Sequence, residues 1–369
     1  MLYNSTQNAK EVVSAAQAIA QGISKDGGLF VPQEFPKYDE NTFKALLKTD
    51  YKGRAKKVFS DFLSDFTEEE ISDCVEKAYT AQKFGGENPA PISYCNLDGT
   101  TLNILELWHG PTCAFKDMAL QILPHLLTKS LKKKYDGKTA VILVATSGDT
   151  GKAALEGFKD VEHTKIVVFY PVDGVSPMQK HQMNTQEGEN VRVCAIKGNF
   201  DDAQTGVKKM FSNKELAKVM NDNGFQFSSA NSINIGRLVP QIVYYVYAYS
   251  RLVGNGTVKA GEKINVVVPT GNFGNILAAY YAKQMGLPIN KLICASNENK
   301  VLFDFFRTGT YDRKRDFILT TSPSMDILIS SNLERLIYRL TGEDAQKCAE
   351  LMQSLSEGGE YTITDEMKK

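Results

Sequence analysis

Lys116 stands in the run His109-Gly110-Pro111-Thr112-Cys113-Ala114-Phe115-Lys116-Asp117, between a strand-like stretch and an apolar helix-like one. With Ala114, Phe115 and Met118 around it, its ammonium is partly desolvated. Burial of that kind lowers an amine's pKa and makes it usable as the nucleophile of a Schiff base with an aldehyde. The same flanks also suit a lysine that only lays its stem along apolar surface. Farther along, Val268-Pro269-Thr270-Gly271-Asn272-Phe273-Gly274-Asn275 carries two glycines separated by two residues. Such spacing lets a backbone fold tightly enough for several N–H groups to converge on one anion, as in a phosphate cradle. It lacks the GxGxxG spacing of a dinucleotide fold, and a glycine-aided strand-to-helix turn is the other reading.

Two more segments join strand-like to helix-like stretches. Ala145-Thr146-Ser147-Gly148-Asp149-Thr150-Gly151-Lys152 offers three hydroxyls and a carboxylate at a helix start. It is not a nucleotide P-loop: only two residues separate its glycines, and Ala153 follows the lysine where Ser or Thr is needed. Hydroxyls and amides there suit a carboxylate ligand, and they equally suit ordinary capping. Ser228-Ser229-Ala230-Asn231-Ser232-Ile233-Asn234-Ile235-Gly236-Arg237 adds a guanidinium able to grip two oxygens at once, which fits a second phosphate; capping is again the alternative.

The elements that must position these groups are legible as a rhythm. Strand-like runs at 103–107, 140–145, 165–170, 191–196, 226–230, 263–268 and 291–295 alternate with helix-length segments at 117–133, 151–158, 201–219, 235–252 and 276–285. This is the pattern of an α/β fold with a mostly parallel sheet covered on both faces. Pro124 should kink or divide the helix at 117–133. Residues 1–95 read instead as helices at 10–22, 41–49 and 67–82 around the turn-rich DGGLFVP, so an N-terminal helical subdomain (1–95) is expected before an α/β region (96–369). A smaller α/β subdomain is expected at about 135–230.

Composition narrows the partners. Forty-three Lys+Arg balance 43 Asp+Glu in 369 residues, which removes the electrostatic footprint of a nucleic-acid or anionic-membrane binder and makes a small molecule the default. The six cysteines have neither CxxC nor zinc-ligand spacing, and the four histidines form no HxH or HExxH pattern, so no metal site is expected. Reduced thiols, no leader-like N-terminus and no membrane-length apolar run lead to the expectation of a cytoplasmic protein.

A Schiff-base lysine combined with a phosphate cradle is what pyridoxal phosphate requires. At this point the chain resembles the threonine synthases, fold-type II pyridoxal-phosphate enzymes of the tryptophan synthase β-like architecture. The likeness runs through DGGLFVP (26–32), GPTCAFKD (110–117), ATSGDTG (145–151), SANSINIGR (229–237) and PTGNFGN (269–275). By that resemblance Lys116 is the aldimine lysine and the catalytic group. Gly271, Asn272, Phe273, Gly274 and Asn275 hold the cofactor phosphate, and Asp149 lies where many relatives place an Asn beside the cofactor's phenolic oxygen. Thr146, Ser147 and Thr150 receive the substrate carboxylate; Asn231, Ser232 and Arg237, with Asn272, grip its phosphate.

The resemblance implies a lyase that converts O-phospho-L-homoserine and water to L-threonine and phosphate, the last step of threonine biosynthesis in the aspartate-family pathway, working as a monomer or homodimer. A dehydratase or β-replacement enzyme on the same fold, and a non-catalytic threonine-synthase-like binder of phosphorylated ligands, are the alternatives. One family feature has no counterpart. The chain ends GGEYTITDEMKK, with nothing like the TAHPAKF segment whose Ser or Thr meets the pyridine nitrogen, and Thr362 and Thr364 lack its context. The expectation is a C-terminally shortened form that binds cofactor weakly and exposes apolar surface.

Overall fold

The computed structural model describes residues 1–368 apart from Ser147 and Gly174. Residues 1–84 form more than a helical unit. Leu2–Ser5 is the central strand of an antiparallel sheet, flanked by Val12–Ser14 and Phe30–Pro32, and five helices follow or interrupt it: Ala15–Gln21, Glu40–Leu47, Tyr51–Phe62, Glu68–Ala78 and Ala81–Phe84. The helix expected at 10–22 therefore begins only at Ala15, where the Ser14 hydroxyl caps it; the β-branched pair before it pairs as strand. Tyr51–Phe62 was not among the expected helices. Its lysines obscure an apolar face of Tyr51, Ala55, Val58, Phe59 and Phe62, all of which are buried.

The expected strand at 103–107 is the second half of an antiparallel hairpin, Ile92–Leu97 with Thr100–Leu105, and does not join the parallel sheet. Asp98 and Gly99 close it with positive φ of 48° and 77°, the Asp-Gly turn that matches the twist of two paired strands. The segment at 117–133 divides as Pro124 demands: Asp117–Leu120 ends before Leu123–Lys134, whose second position is the proline.

Four parallel strands form the main sheet in the order Val191–Ile196, Thr164–Pro171, Thr139–Ala145 and Phe225–Ser228. Thr139–Ala145 lies inside the sheet and is buried at all but its first residue, as its continuous apolar run requires. Asp149–Phe158 leaves the end of that strand. The expected helix at 201–219 is broken at Asn213 into Phe200–Ser212 and Lys214–Asp222, with the Asn213 side chain accepting from the Leu216 N–H at 2.9 Å. Ile235–Gly254, 20 residues long and apolar on nearly every side, runs through the middle of the molecule with Pro240 inside it.

A second parallel pair, Ile264–Pro269 with Ile289–Ala295, is joined by helix Gly274–Gln284. Val267 (61% exposed) and Ile293 (43%) leave one face of this pair open. Helices Val301–Thr308, Leu333–Leu340 and Ala345–Gly358 complete the chain with a short antiparallel pair, Thr310–Asp312 and Glu360–Thr362.

Candidate active site

Three of the segments singled out by sequence converge on Lys116. The loop before it is shaped by Asp117, whose buried carboxylate accepts from both the N–H and the hydroxyl of Thr112 at 2.8 Å. Gly110 is required there, since a Cβ would lie 2.5 Å from the Asp117 carboxylate oxygen. Lys116 follows with only 9% of its surface exposed and donates from Nζ to Asp149 Oδ1 at 2.6 Å. Asp149 is the first residue of helix Asp149–Phe158, where an anionic side chain is favoured by the free N–H groups and the dipole.

Burial lowers the pKa of the Lys116 amine, with Asp149 opposing and Arg237 adding to the effect. Burial also pushes the Asp149 carboxyl up, but Lys116, the Ser324 hydroxyl and the Thr150 N–H outweigh it and hold it below the usual carboxylate range. A desolvated amine with one charged partner in a cleft is a functional arrangement more often than a structural one.

Arg237 sits in the first turn of the central helix, 2% exposed. Its Nη1 donates to the Ala230 carbonyl at 2.6 Å, while Nε is buried with no partner. Burial brings its pKa down to about 10, with Asp149, Asp117 and Tyr244 opposing. An unpaired guanidinium nitrogen this close to Lys116 invites an anion, because a buried donor left unmade costs about 1–3 kcal/mol.

The glycine loop supplies shape rather than charge. Phe273 precedes helix Gly274–Gln284 with φ of 65°, so the free N–H groups of that helix start open onto the loop. A Cβ on Gly271 would lie 3.1 Å from both Met325 Cα and Ser324 O; on Gly274 it would meet Asn332 Nδ2 at 3.4 Å. Ser330 Oγ donates to the Gly271 carbonyl at 2.8 Å, and Asn332 donates to the Asn272 carbonyl from its backbone N–H (3.1 Å) and its side chain (3.0 Å). With its carbonyls turned away and held, the loop can aim amides at a phosphate. The Asn275 side chain is held by its Oδ1, which accepts from the hydroxyls of Tyr244 at 2.5 Å and Tyr245 at 2.6 Å.

Other expected site residues divide. Thr146 Oγ1 accepts from the N–H groups of Gly148 and Gly151 at 3.0 Å each, so its hydroxyl is spent on capping. Thr150 is half-buried in the first turn of the helix, and Ser147 lies outside the described residues. Asn231 and Ser232 are half-buried, and Ser232 is linked to the glycine loop: its Oγ lies 3.5 Å from Ser331 Oγ, which donates to Asn272 Oδ1 at 3.4 Å.

Sequence reasoning missed residues 320–335 altogether. Ser324 donates to Asp149 Oδ2; Ser330, Ser331 and Asn332 hold the glycine loop. Arg335, fully buried, donates to the Phe30 carbonyl (2.9 Å), the Ile233 carbonyl (2.5 Å) and Asn332 Oδ1. The available signal was a Ser/Asn-rich stretch leading into the apolar-periodic LERLIYRL, the mark of an ordered turn before a helix.

The donor set fits pyridoxal phosphate: an amine for its aldehyde, a cradle that any Cβ would narrow, and an orphaned guanidinium for a second anion. Comparison with known proteins agrees. Residues 2–79 match the family model for the threonine synthase N terminus, and residues 86–360 that for pyridoxal-phosphate dependent enzymes. The chain is 41% identical over 370 residues to human threonine synthase-like 1, covering 97% of this chain and 49% of that protein. It is 37% identical over 367 residues to threonine synthase of Pseudomonas aeruginosa, covering 99% and 74%. The crystal structure of pyridoxal-phosphate-bound threonine synthase from Brucella melitensis superposes with a TM-score of 0.89 at 39% identity, covering 100% of this chain and 76% of that one. The chain thus spans about half the length of the threonine synthase-like relatives and about three quarters of the synthases. Its cofactor is pyridoxal phosphate, its architecture fold type II, and the chain belongs to the threonine synthase family.

Proposed function

We propose that this chain carries the active site of a threonine synthase, converting O-phospho-L-homoserine and water to L-threonine and phosphate. The observation that carries the reading is the placing of an unpaired buried Arg237 Nε within electrostatic reach of a desolvated Lys116. One phosphate belongs to the cofactor. The orphaned guanidinium donor beside the amine supports a substrate that brings an anionic group of its own, here taken as its phosphate.

Bound pyridoxal phosphate supplies the electron sink that makes the substrate Cα–H acidic. Lys116 would hold the cofactor's aldehyde and, when released, its buried amine would serve as the base for the Cα proton at Nζ. Asp149 fixes the direction of Nζ and balances its charge when protonated. The backbone of residues 271–275 holds the cofactor phosphate, while Arg237, Asn231 and Ser232 hold the substrate phosphate so that it departs from Cγ with the C–O bonding pair. Thr150 lies in the first turn of helix Asp149–Phe158, proposed for the substrate carboxylate. Departure of the phosphate would require a Cβ proton to leave as well and Cγ to gain one, transfers for which Lys116 Nζ is the available group, before water adds at Cβ; the sum is threonine plus inorganic phosphate.

Stoichiometric threonine and phosphate from O-phospho-L-homoserine, by a chain that borohydride labels at Lys116 after loading with pyridoxal phosphate, is the expected result. Label on another lysine would overturn the assignment. The 41% identity to a threonine synthase-like protein favours a second reading, a binder of the same phosphorylated ligand that makes no threonine. Phosphohomoserine binding without phosphate release would select it.

A further inference from the structure

The turn Pro323–Met325 touches both halves of the site, and its own construction is unusually firm. The Asp326 carboxylate accepts from Asn297 Nδ2 (2.7 Å), Asn299 Nδ2 (2.9 Å), Thr320 Oγ1 (2.8 Å) and the Thr320 N–H (2.9 Å). Four donors on one carboxylate fix the turn on two segments, 297–299 and Thr320. From that base Ser324 reaches in two directions: its hydroxyl donates to Asp149 Oδ2, and its carbonyl lies 3.1 Å from where a Gly271 Cβ would stand. Asp149 thus has a separate donor on each oxygen, Lys116 on Oδ1 and Ser324 on Oδ2.

The two donors differ in permanence. Lys116 can work as a nucleophile or base only after losing its proton, and at that moment Asp149 loses its cationic partner in a largely buried place. A carboxylate stripped of partners there would draw the proton back or turn away. We propose that Ser324 is a positioning residue that keeps the Asp149 carboxylate hydrogen-bonded and aimed while Lys116 is uncharged. The proposal rests on the reading of Lys116 as the working amine.

The charged group facing the pair from another element is Arg237 on the central helix, itself faced by Tyr244 on the same helix and by Asp117 next to the lysine. Arg237 favours the neutral amine and the ionised carboxylate alike, but it shares its charge with Asp117 and Tyr244. Asp326 is committed within its own turn. Ser324 is the donor directed at the second Asp149 oxygen.

The hydroxyl bond is worth more when Asp149 stands unpaired than when Lys116 neutralises it, so its removal should favour the protonated amine. The test is the pH profile of Lys116 reductive methylation in cofactor-free chain, read by peptide mapping. The Nζ lone pair bonds to the formaldehyde carbon, the carbonyl oxygen leaves as water, and cyanoborohydride delivers hydride to that carbon to leave N-methyl-lysine. Ser324→Ala should move the midpoint to higher pH by ~0.5 or more, about a threefold loss of labelling at a fixed pH below it. Ser324→Thr, which keeps the hydroxyl, should restore it. An unmoved midpoint, a downward shift, or equal shifts in the Ala and Thr variants would overturn the proposal. Borohydride mapping of the cofactor-loaded parent reports separately on Lys116 itself: label elsewhere removes that reading, whatever the Ser324 variants do.

Discussion

The lysine side of the site and the glycine loop handle charge by opposite means. Around Lys116 the groups are ionised and withdrawn from solvent: a buried ammonium, a half-buried carboxylate and a buried guanidinium, placed by three different elements. Around Gly271–Asn275 no ionised side chain forms the cradle; what matters is missing Cβ atoms and carbonyls turned into hydrogen bonds from Ser330 and Asn332. The difference fits the tasks proposed for the two regions. A group that exchanges protons must have its pKa moved by burial and neighbours, whereas a permanent anion needs only a fixed array of N–H dipoles. Side-chain chemistry is therefore concentrated where charge changes, and backbone shape where it does not.

The sharpest way to break this contrast is at Lys116. Lys116→Ala should lower threonine formation by at least ~10³-fold and abolish borohydride-trapped cofactor, with far-UV circular dichroism unchanged, since general-base and covalent roles are lost together. Retention of most activity would mean that the charged side of the site is not where the chemistry happens.

Arg335 joins the two regions, gripping Ile233 in one loop and, through Asn332, Asn272 in the other. Arg335→Met leaves the Phe30 and Ile233 carbonyls and Asn332 Oδ1 without their donor. A loss of about 3 kcal/mol or more in stability is expected from urea unfolding. An unchanged midpoint would show that the loops hold their spacing without it.

Arg237 and Gly271 should separate by which phosphate they affect. Arg237→Ala should cost ~2–3 kcal/mol in kcat/KM for O-phospho-L-homoserine and leave cofactor affinity nearly unaltered, on the scale of a charge-assisted hydrogen bond. Gly271→Ala should do the reverse at smaller size. Its Cβ presses on backbone at Met325 and Ser324, which yields less readily than a side chain, so a cofactor affinity weakened by about tenfold, or ~1.4 kcal/mol, is expected in a fluorescence titration. If Arg237→Ala released cofactor while Gly271→Ala did not, the two phosphate assignments would be exchanged.

What the sequence determined by itself was local. Apolar runs flanked by glycine turns placed the parallel strands within two residues, Pro124 marked where a helix divides, and the residues around Lys116, Asp149, Arg237 and Gly271 pointed to the chemistry. These are properties of short stretches, set by periodicity, backbone permissiveness and side-chain type. Partner choice was not legible. Thr146 and Asn275 have the right chemistry for ligands, yet nearby N–H groups and a tyrosine pair take up their oxygens. Ser324 and Asn332 look like ordinary turn residues and become site residues only because residues 320–335 fold back over loops 50 to 175 positions earlier. The Asp98-Gly99 turn decided that 100–105 pairs antiparallel with its neighbour, a matter of two positive φ angles rather than of the strand's own pattern. Only the tertiary structure could settle such questions, because a polar group's role depends on which donors and acceptors reach it first once water has been excluded.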